Sequence, residues 1–299
     1  MMKTLITGIS GFTGHYLSER LQRDGHEVHG IVREHGHAKD VPAHVVHVCD
    51  LLDYEALSGI ISRVEPDYIV HLAAIAFVGH DDLQEMYLTN IIGTRTLLEV
   101  CARQPKIPQK ILIASSANVY GKSNSGILNE DALIEPANDY GVTKLAVENI
   151  ARIFSERLPI IVVRPFNYTG VGQSESFLIP KIIKHVRDRS PIIELGNLDV
   201  ARDFSDVRSV VDAYARLLNA SYAVNGVFNI CSSNPVTLRE LVALACNVGL
   251  HDMQIAINQA FVRVNEVPVL YGDKSRLESV IGPLDVPPLR DTLRWMIEA

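Results

Sequence analysis

Paired cysteines are missing from this chain, whose four cysteines are Cys49, Cys101, Cys231 and Cys246. Because they are scattered singly, neither a disulfide framework nor a cysteine-rich metal site is indicated, and buried reduced thiols are expected. The eleven histidines also lack the spacing of metal ligands. We therefore expect no bound metal.

Long apolar runs and blocks of basic residues are absent as well. No stretch is apolar for long enough to span a bilayer and no signal peptide is recognisable, so a cytoplasmic protein without membrane contact is expected. The formal net charge of −7 argues against a nucleic-acid partner, although local loops can still bind a phosphorylated small molecule. With 47% hydrophobic and 21% charged residues, the 299-residue chain is predicted to fold around a sizeable core.

The first 25 residues combine an apolar run, three spaced glycines and a helical pattern. Residues 3–7 are predicted to form a buried strand, and a helix is predicted to end at Gly25. Gly8, Gly11 and Gly14 lie between them. A glycine turn at a helix N-terminus can bind the diphosphate of a dinucleotide, because free N–H groups and the helix dipole favour an anion there. An ordinary strand–helix turn is the alternative, but the position of the glycines favours the phosphate site.

Strand and helix patterns alternate through the first half of the chain. Further strands are predicted at 27–32, 45–48, 68–74, 110–114 and 160–163, and helices at 53–64, 85–103 and 139–158. This alternation predicts a Rossmann-type doubly wound α/β fold with a parallel sheet. Ligands of such sheets bind outside the carboxyl ends of the strands, where the glycine turn and Ser116 are expected.

Beyond Arg164 the elements become shorter and are separated by prolines and glycines. Strands are predicted at 192–195 and 226–230, and helices at 207–220, 237–248 and 289–297. We expect a dinucleotide-binding domain at 1–165, with return segments near 207–231. We expect a smaller C-terminal α/β substrate-binding domain at 166–206 and 232–299.

Two residues of the first half bear on the choice of cofactor. Arg33 follows the second predicted strand, where a guanidinium group would bind the 2′-phosphate of NADP, so NADP(H) is preferred. A solvent-exposed strand end is the alternative, and the neighbouring Glu34 leaves NAD(H) possible. Asp50 could accept from the adenine amino group or cap the next helix.

Tyr140 and Lys144 are one helical turn apart in the same predicted helix. A free tyrosine has a pKa of about 10, and a neighbouring ammonium group favours its phenolate form. Tyr140 could then exchange a proton with a carbonyl or carbinol oxygen, which the Ser116 hydroxyl could hold. A Tyr-x-x-x-Lys pair alone is usually a helix surface pair, but here it follows a nucleotide-binding pattern.

Seven motifs along the whole chain resemble the extended short-chain dehydrogenase/reductase family. They are Gly8-x-x-Gly11-x-x-Gly14, His71-Leu-Ala-Ala74, Asn90-x-x-Gly93-Thr94, Ser115-Ser116, Val119-Tyr120-Gly121, Tyr140-x-x-x-Lys144 and Arg164-Pro-Phe-Asn167. The resemblance implies Ser116, Tyr140 and Lys144 as the catalytic triad. The cofactor-binding residues assigned on these grounds are Gly8, Ser10, Gly11, Phe12, Thr13, Gly14, Arg33, Asp50, Leu51, Leu72, Ala73, Ala74, Asn90, Tyr140, Lys144 and Pro165.

In this family the residues after the catalytic serine distinguish dehydratases, epimerases and reductases, and here they are the residues after Ser116. Its sugar 4,6-dehydratases need a carboxylate there, and its epimerase/reductases that make GDP-fucose need a cysteine; here Ala117 and Asn118 follow. Hydride transfer at C4 with Tyr140 as the acid remains. The resemblance further implies that the substrate is a GDP-4-keto-6-deoxyhexose, and we expect its reduction to GDP-D-rhamnose. GDP-6-deoxy-D-talose as the product and a nucleotide-sugar 4-epimerase with tightly bound NAD stay open, and a non-catalytic nucleotide sensor is ranked last.

The segments around Arg202 and Arg263 are similar to those of family members that process GDP-mannose, which implies a GDP-linked deoxysugar as the substrate. The two guanidinium groups would bind its diphosphate, and Glu266 could accept from a ribose or guanine donor or form a salt bridge. The substrate-binding residues assigned are Phe77, His80, Asn118, Asn167, Lys181, Asn197, Arg202, Arg263 and Glu266. The resemblance also suggests a homodimer through the helices at 85–103 and 139–158, which could equally cover the sheet of a monomer.

Overall fold

The computed structural model describes residues 1–34, 36, 41–76, 82–121, 126–262 and 268–299. Its first half alternates strands and helices as the sequence predicts. The elements are β1 (Lys3–Thr7), α1 (Phe12–Arg23), β2 (Glu27–Val32), β3 (Val45–Val48), α2 (Tyr54–Val64), β4 (Tyr68–His71), α3 (Leu83–Tyr87), α4 (Gly93–Arg103), β5 (Lys110–Ala114), β6 (Ile127–Leu128), α5 (Asp139–Phe154) and β7 (Ile160–Pro165).

The remaining residues form shorter elements, several of which the sequence pattern did not predict. They are β8 (Asn167–Thr169), α6 (Leu178–Arg187), β9 (Ile192–Leu195), β10 (Ala201–Asp206), α7 (Val207–Asn219), β11 (Val227–Ile230), β12 (Pro235–Thr237), α8 (Leu238–Gly249), β13 (Gln254–Ile257), β14 (Val269–Gly272), α9 (Ser275–Ile281) and α10 (Leu289–Glu298). The unpredicted members are β8, α6, β10, β12, β13, β14 and α9, and β6 of the first half was not predicted either.

Seven parallel strands form the main sheet in the order β11-β7-β5-β4-β1-β2-β3. Successive side chains of a strand point to opposite faces, so a strand covered on both faces can be apolar throughout. In β1, Ile6 packs in the cluster of α1 and α7, whereas Leu5 packs in the cluster of α2, α4 and α5. The predicted doubly wound α/β fold is confirmed.

The C-terminal elements, together with β6 of the first half, build two smaller sheets. One has the order β12-β10-β14-β6, with β8 paired to β10, and the other pairs β13 with β9. Their core includes Ile183, Phe204, Leu241 and Met296. β11, from the predicted return segment, joins the main sheet instead. The division into two domains by binding role stays a prediction.

The helix predicted at 85–103 is interrupted. It begins as α3, continues through one π-helical turn at Leu88–Ile92, and becomes α4 only at Gly93. The interruption contains the buried Asn90, whose side chain reaches a neighbouring loop, and π-turns of this kind are frequent at functional sites. Among the described residues, no helix combines the length and the apolar character that crossing a membrane requires.

Candidate active site

Close backbone contacts require glycine at the turn after β1. Gly8 has a φ of +71°, and a Cβ added there would lie 2.7 Å from the backbone nitrogen of Ala73. A Cβ on Gly14 would lie 2.5 Å from the carbonyl oxygen of Ile9. The protein's own packing thus accounts for both glycines, and it brings the loop after β4 directly against the turn.

The N-terminus of α1 is built to receive an anion. The helix begins after Gly11 without a side-chain cap and without an acidic residue in its first turn. The N–H groups of a first turn have no intrahelical partner, and the helix dipole favours negative charge at this end. The turn therefore fits the diphosphate of a dinucleotide. The residues predicted to contact it are Gly8, Ser10, Gly11, Phe12, Thr13 and Gly14, and that contact stays a prediction.

The buried Asn90 holds the loop that follows β4. Its side-chain oxygen accepts from the backbone N–H of Ile75 at 2.8 Å. Its amide nitrogen donates to the carbonyl of Ile75 at 3.1 Å and to Thr143 Oγ1 at 3.0 Å. These bonds engage both ends of the amide, so Asn90 holds the loop in place, and its cofactor contact stays a prediction. Leu72, Ala73 and Ala74 lie in or beside the loop that it fixes.

His71 ties β4 to its neighbours at the same sheet edge. Its Nδ1 lies 2.7 Å from Thr7 Oγ1, and its Nε2 lies 2.9 Å from Thr94 Oγ1. Burial, helped by the charge of Lys144, lowers the pKa of His71 to about 3, so the ring is neutral at physiological pH. His71 thus aligns the strand ends and does not serve as an acid or base.

Arg33 and Asp50 lie where the adenosine end of a dinucleotide is expected. The Arg33 guanidinium donates to Glu85 at 2.6 Å and lies 3.7 Å from Glu34, with half of its side chain exposed. Asp50 accepts from the N–H of Leu52, and the cap of α2 is Asp53 instead. The structure thus corrects the helix-cap alternative for Asp50, while its adenine contact stays a prediction.

Ser116, Tyr140 and Lys144 meet at the carboxyl end of β5. The Ser116 hydroxyl lies near enough to the Tyr140 phenol to lower its pKa. The Lys144 Nζ lies 5.7 Å from the centre of the Tyr140 ring and donates to the carbonyl of Ala114 at 2.8 Å. Asn138 caps α5 through the N–H of Gly141, which fixes the helix start. The sequence spacing predicted this meeting, and the catalytic roles stay a prediction.

The electrostatics of the site favour a neutral phenol. Burial raises the pKa of Tyr140 above its ordinary value, and the neighbouring Tyr168 adds to that rise, whereas Ser116 opposes it. Burial lowers the pKa of Lys144 to about 8, and the Glu148 carboxylate opposes that fall. Tyr140 therefore holds its proton at neutral pH and can donate it to an oxygen that gains negative charge.

Sequence reasoning missed Glu148, which lies one turn beyond Lys144. Its carboxylate accepts from Ser115 Oγ at 2.5 Å. It also forms a bidentate salt bridge with the buried Arg164, whose Nε and Nη2 donate at 2.9 and 2.7 Å. Arg164 in turn donates to the Tyr120 hydroxyl at 3.0 Å. This network anchors α5 to β5 and β7. The i,i+4 spacing of Glu148 from Lys144 was the available signal.

The predicted substrate residues have varied surroundings. The Asn118 amide donates to Ser116 Oγ at 3.1 Å, so Asn118 lies beside the triad. The exposed Asn167 donates to the carbonyl of Asp203 at 3.3 Å. Pro165 is the buried last residue of β7, and Leu51 packs beneath the start of α4.

Three further substrate residues lie in the C-terminal part. The Lys181 ammonium donates to the carbonyl of Glu194 and lies 4.3 Å from the centre of the Phe261 ring. Asn197 accepts from the N–H of Asp199, and Arg202 donates to the carbonyl of Ala201. Phe77, His80, Arg263 and Glu266 lie outside the described residues. Within the described ranges, no group of three His, Cys, Asp or Glu is arranged to hold a metal ion.

Comparison with known proteins decides the family. Residues 4–231 match the model of the NAD dependent epimerase/dehydratase family. The chain belongs to the NAD-dependent epimerase/dehydratase family. The resemblance drawn from the motifs is thus confirmed, and so is the prediction of an NAD(P)-dependent oxidoreductase.

Two curated relatives of this epimerase/dehydratase family member share nearly its full length. GDP-6-deoxy-D-talose 4-dehydrogenase of Aggregatibacter actinomycetemcomitans is 34% identical over 281 residues, which are 94% of this chain and 92% of the relative. GDP-6-deoxy-D-mannose reductase of Pseudomonas aeruginosa is 29% identical over 306 residues, covering 99% of this chain and 96% of the relative.

Two solved structures are also similar. A provisionally assigned epimerase from Burkholderia cenocepacia J2315 has a TM-score of 0.92 and 42% identity, with coverage of 99% of this chain and 97% of the other. RMD from Pseudomonas aeruginosa, complexed with NADPH, has a TM-score of 0.85 and 28% identity, with coverage of 100% and 98%. A nicotinamide cofactor is thus supported, without a preference for NAD or NADP.

Proposed function

We propose that this chain is an NADPH-dependent reductase of GDP-4-keto-6-deoxy-D-mannose, with GDP-D-rhamnose as its product. The observation that carries the proposal is the position of the buried Tyr140 phenol beside both Ser116 and Lys144. The buried Ala117 follows Ser116, and Asn118 comes next, so neither a carboxylic acid nor a thiol lies there for elimination or epimerisation at C3 or C5. Two relatives named for GDP-6-deoxyhexoses support the substrate class.

The three side chains divide the work of a carbonyl reduction. When bound, NADPH supplies a hydride for C4 of the sugar. Ser116 donates a hydrogen bond to the C4 carbonyl oxygen, and Tyr140 transfers its proton to that oxygen as negative charge develops, which gives a secondary alcohol. Lys144 holds the cofactor ribose, stabilises the resulting phenolate and keeps α5 against β5 through Ala114.

The cofactor and substrate are proposed to meet between the two parts of the chain. The dinucleotide-binding part would be 1–165 with 207–231, and the GDP-sugar part 166–206 with 232–299. Arg33, whose side chain is half exposed, would exchange its ion pair with Glu85 for the 2′-phosphate of NADP(H), and this guanidinium supports NADP(H) over NAD(H). Lys181, Asn197 and Arg202 are proposed to contact the GDP sugar, together with Asn118 and Asn167.

A homodimer in the cytoplasm is also proposed. α5 and the π-turn before α4 expose apolar side chains: Leu88 (40%), Ile92 (43%), Val142 (42%) and Ile153 (66%). Burial of such a set against a second copy would stabilise a dimer. Sedimentation of the purified chain would give twice the monomer mass, and a monomer at micromolar concentration would contradict the proposal.

The reductase proposal is tested by cofactor stoichiometry. The protein is incubated with NADPH and the GDP-linked keto sugar, and the loss of NADPH absorbance is compared with the product formed. One NADPH should be lost per product. The variant Tyr140→Phe should turn over about 10² to 10⁴-fold more slowly, whereas Tyr222→Phe, at a side chain that is 91% exposed, should match the wild type.

Two other outcomes have specific support. Formation of GDP-6-deoxy-D-talose is favoured by the 34% identical relative, and the sugar proton couplings in the NMR spectrum of the product distinguish it from GDP-D-rhamnose. An epimerase is supported by the name of the 42% identical structure, and a 4-epimerase with tightly bound NAD needs only the same triad. Full conversion of a nucleotide sugar with no net loss of NADPH would replace the reductase by that epimerase.

A further inference from the structure

Tyr168 connects the C-terminal part of the chain to the start of α1. It lies in β8, which pairs with β10 and not with the main sheet, and its register partner is Ser205. Its phenolic oxygen nevertheless lies 2.8 Å from the Oγ1 of Thr13, the second residue of α1. Its ring stacks on Phe12, the first residue, with 6.2 Å between the centres and 13° between the planes.

The contact is made at the helix end that fits a diphosphate. A threonine hydroxyl has one hydrogen to donate and two lone pairs that accept. If the Tyr168 hydroxyl donates to Thr13, the hydrogen of Thr13 is directed elsewhere and can be donated to an anionic oxygen at the uncapped N-terminus. Without Tyr168 this hydroxyl would rotate freely, or would donate to its own backbone.

The same phenol also acts electrostatically on the acid of the triad. Tyr168 helps to raise the pKa of Tyr140, and burial raises the pKa of Tyr168 as well. One residue of β8 therefore contacts the helix N-terminus that would hold the diphosphate and influences the pKa of the group that would donate the proton.

We propose that Tyr168 is a positioning residue, which orients the Thr13 hydroxyl toward the cofactor diphosphate and so couples cofactor binding at α1 to the β8–β10 strand pair. This inference rests on the proposed binding of a nicotinamide dinucleotide at the glycine turn. Part of the affinity for the cofactor would then come from β8, which lies outside the glycine motif.

The test is equilibrium binding of NADPH, followed by nucleotide fluorescence, to single and double variants. Tyr168→Phe keeps the ring on Phe12 and removes only the hydroxyl, and Thr13→Val removes the partner. Each should raise the Kd about fivefold to tenfold, the range expected for one hydrogen bond near a charged group. The double variant should be no weaker than the weaker single variant, because both remove the same bond.

Two further variants separate this role from general packing. Thr13→Ser restores the hydroxyl and should bring the Kd to within about twofold of the wild type. Tyr16→Phe removes another phenol at the same interface, which donates to the carbonyl of Val171 at 2.7 Å, and it should leave the Kd unchanged. In turnover assays Tyr168→Phe should raise the KM for NADPH more than it lowers kcat.

Four results would overturn the inference alone: wild-type affinity in Tyr168→Phe, an equal loss of affinity in Tyr16→Phe, multiplied losses in the double variant, or no recovery in Thr13→Ser. Failure of the wild-type chain to bind either NADPH or NADH would instead overturn the proposed function, and the inference with it.

Discussion

The variant Glu148→Gln tests whether the polar network behind the triad holds α5 in place. Glu148 exposes 10% of its side chain and Arg164 exposes 4%, so the ion pair between them is shielded from water. The substitution keeps the shape of the side chain and one acceptor, but it removes the negative charge that faces the Arg164 guanidinium and the Ser115 hydroxyl.

The expected cost follows from that burial. Removing one partner of a buried ion pair costs about 3 to 5 kcal/mol, because the other charge stays buried without compensation. Since Gln keeps one acceptor, we expect about 3 kcal/mol for Glu148→Gln. For a chain of this size the loss would lower Tm by on the order of 10 °C.

Thermal unfolding followed by circular dichroism provides the assay. The matched control is Glu156→Gln, at an exposed carboxylate just beyond the end of the same helix, and we expect its Tm to stay near the wild-type value. A Glu148→Gln variant that melts within about 2 °C of this control would refute the structural role of the network.

Two further predictions concern the triad and the glycine turn. Because burial lowers the pKa of Lys144 to about 8, its ammonium form is lost as the pH rises through that value, so kcat/KM should fall above pH 8, and a flat profile from pH 7 to about 9.5 would contradict this reading. In Glu148→Gln this fall in kcat/KM should begin at a lower pH, since Glu148 raises the pKa of Lys144. Gly14→Ala would place a Cβ 2.5 Å from the carbonyl of Ile9, so it should abolish NADPH binding or folding, as measured by fluorescence titration and circular dichroism. Gly59 lies inside α2, and a Cβ added there would lie 3.4 Å from the Arg63 guanidinium, an ordinary van der Waals distance. Gly59→Ala should therefore leave NADPH binding and folding unchanged, or add up to about 1 kcal/mol of stability.

The cofactor side of the molecule could largely be predicted because its signals are local. The glycine turn lies within a few residues of the strand and helix that frame it, and Tyr140 and Lys144 share one turn of α5. The parallel sheet follows from apolar strands such as β4, which are covered on both faces. Each of these features is determined by neighbours in the chain.

The substrate side was harder to predict because its elements are short and its contacts are distant. β6 has two residues and β8 has three, too few for an alternating pattern to emerge. Tyr168 meets Thr13 across 155 positions, and Asn90 reaches its loop through a π-turn that no spacing rule predicts. Such placements depend on the tertiary fold, not on the local sequence.

The most direct measurement follows the hydrogen that the reaction transfers. The protein is supplied with NADPH deuterated at C4 of the nicotinamide, on each face in turn, and with the GDP-linked keto sugar, and the product is examined by NMR and mass spectrometry. Carbonyl reduction beside Tyr140 predicts one deuterium at C4 of the deoxysugar, from one of the two labelled cofactors, for each NADP⁺ formed. A product without deuterium from either cofactor would contradict it.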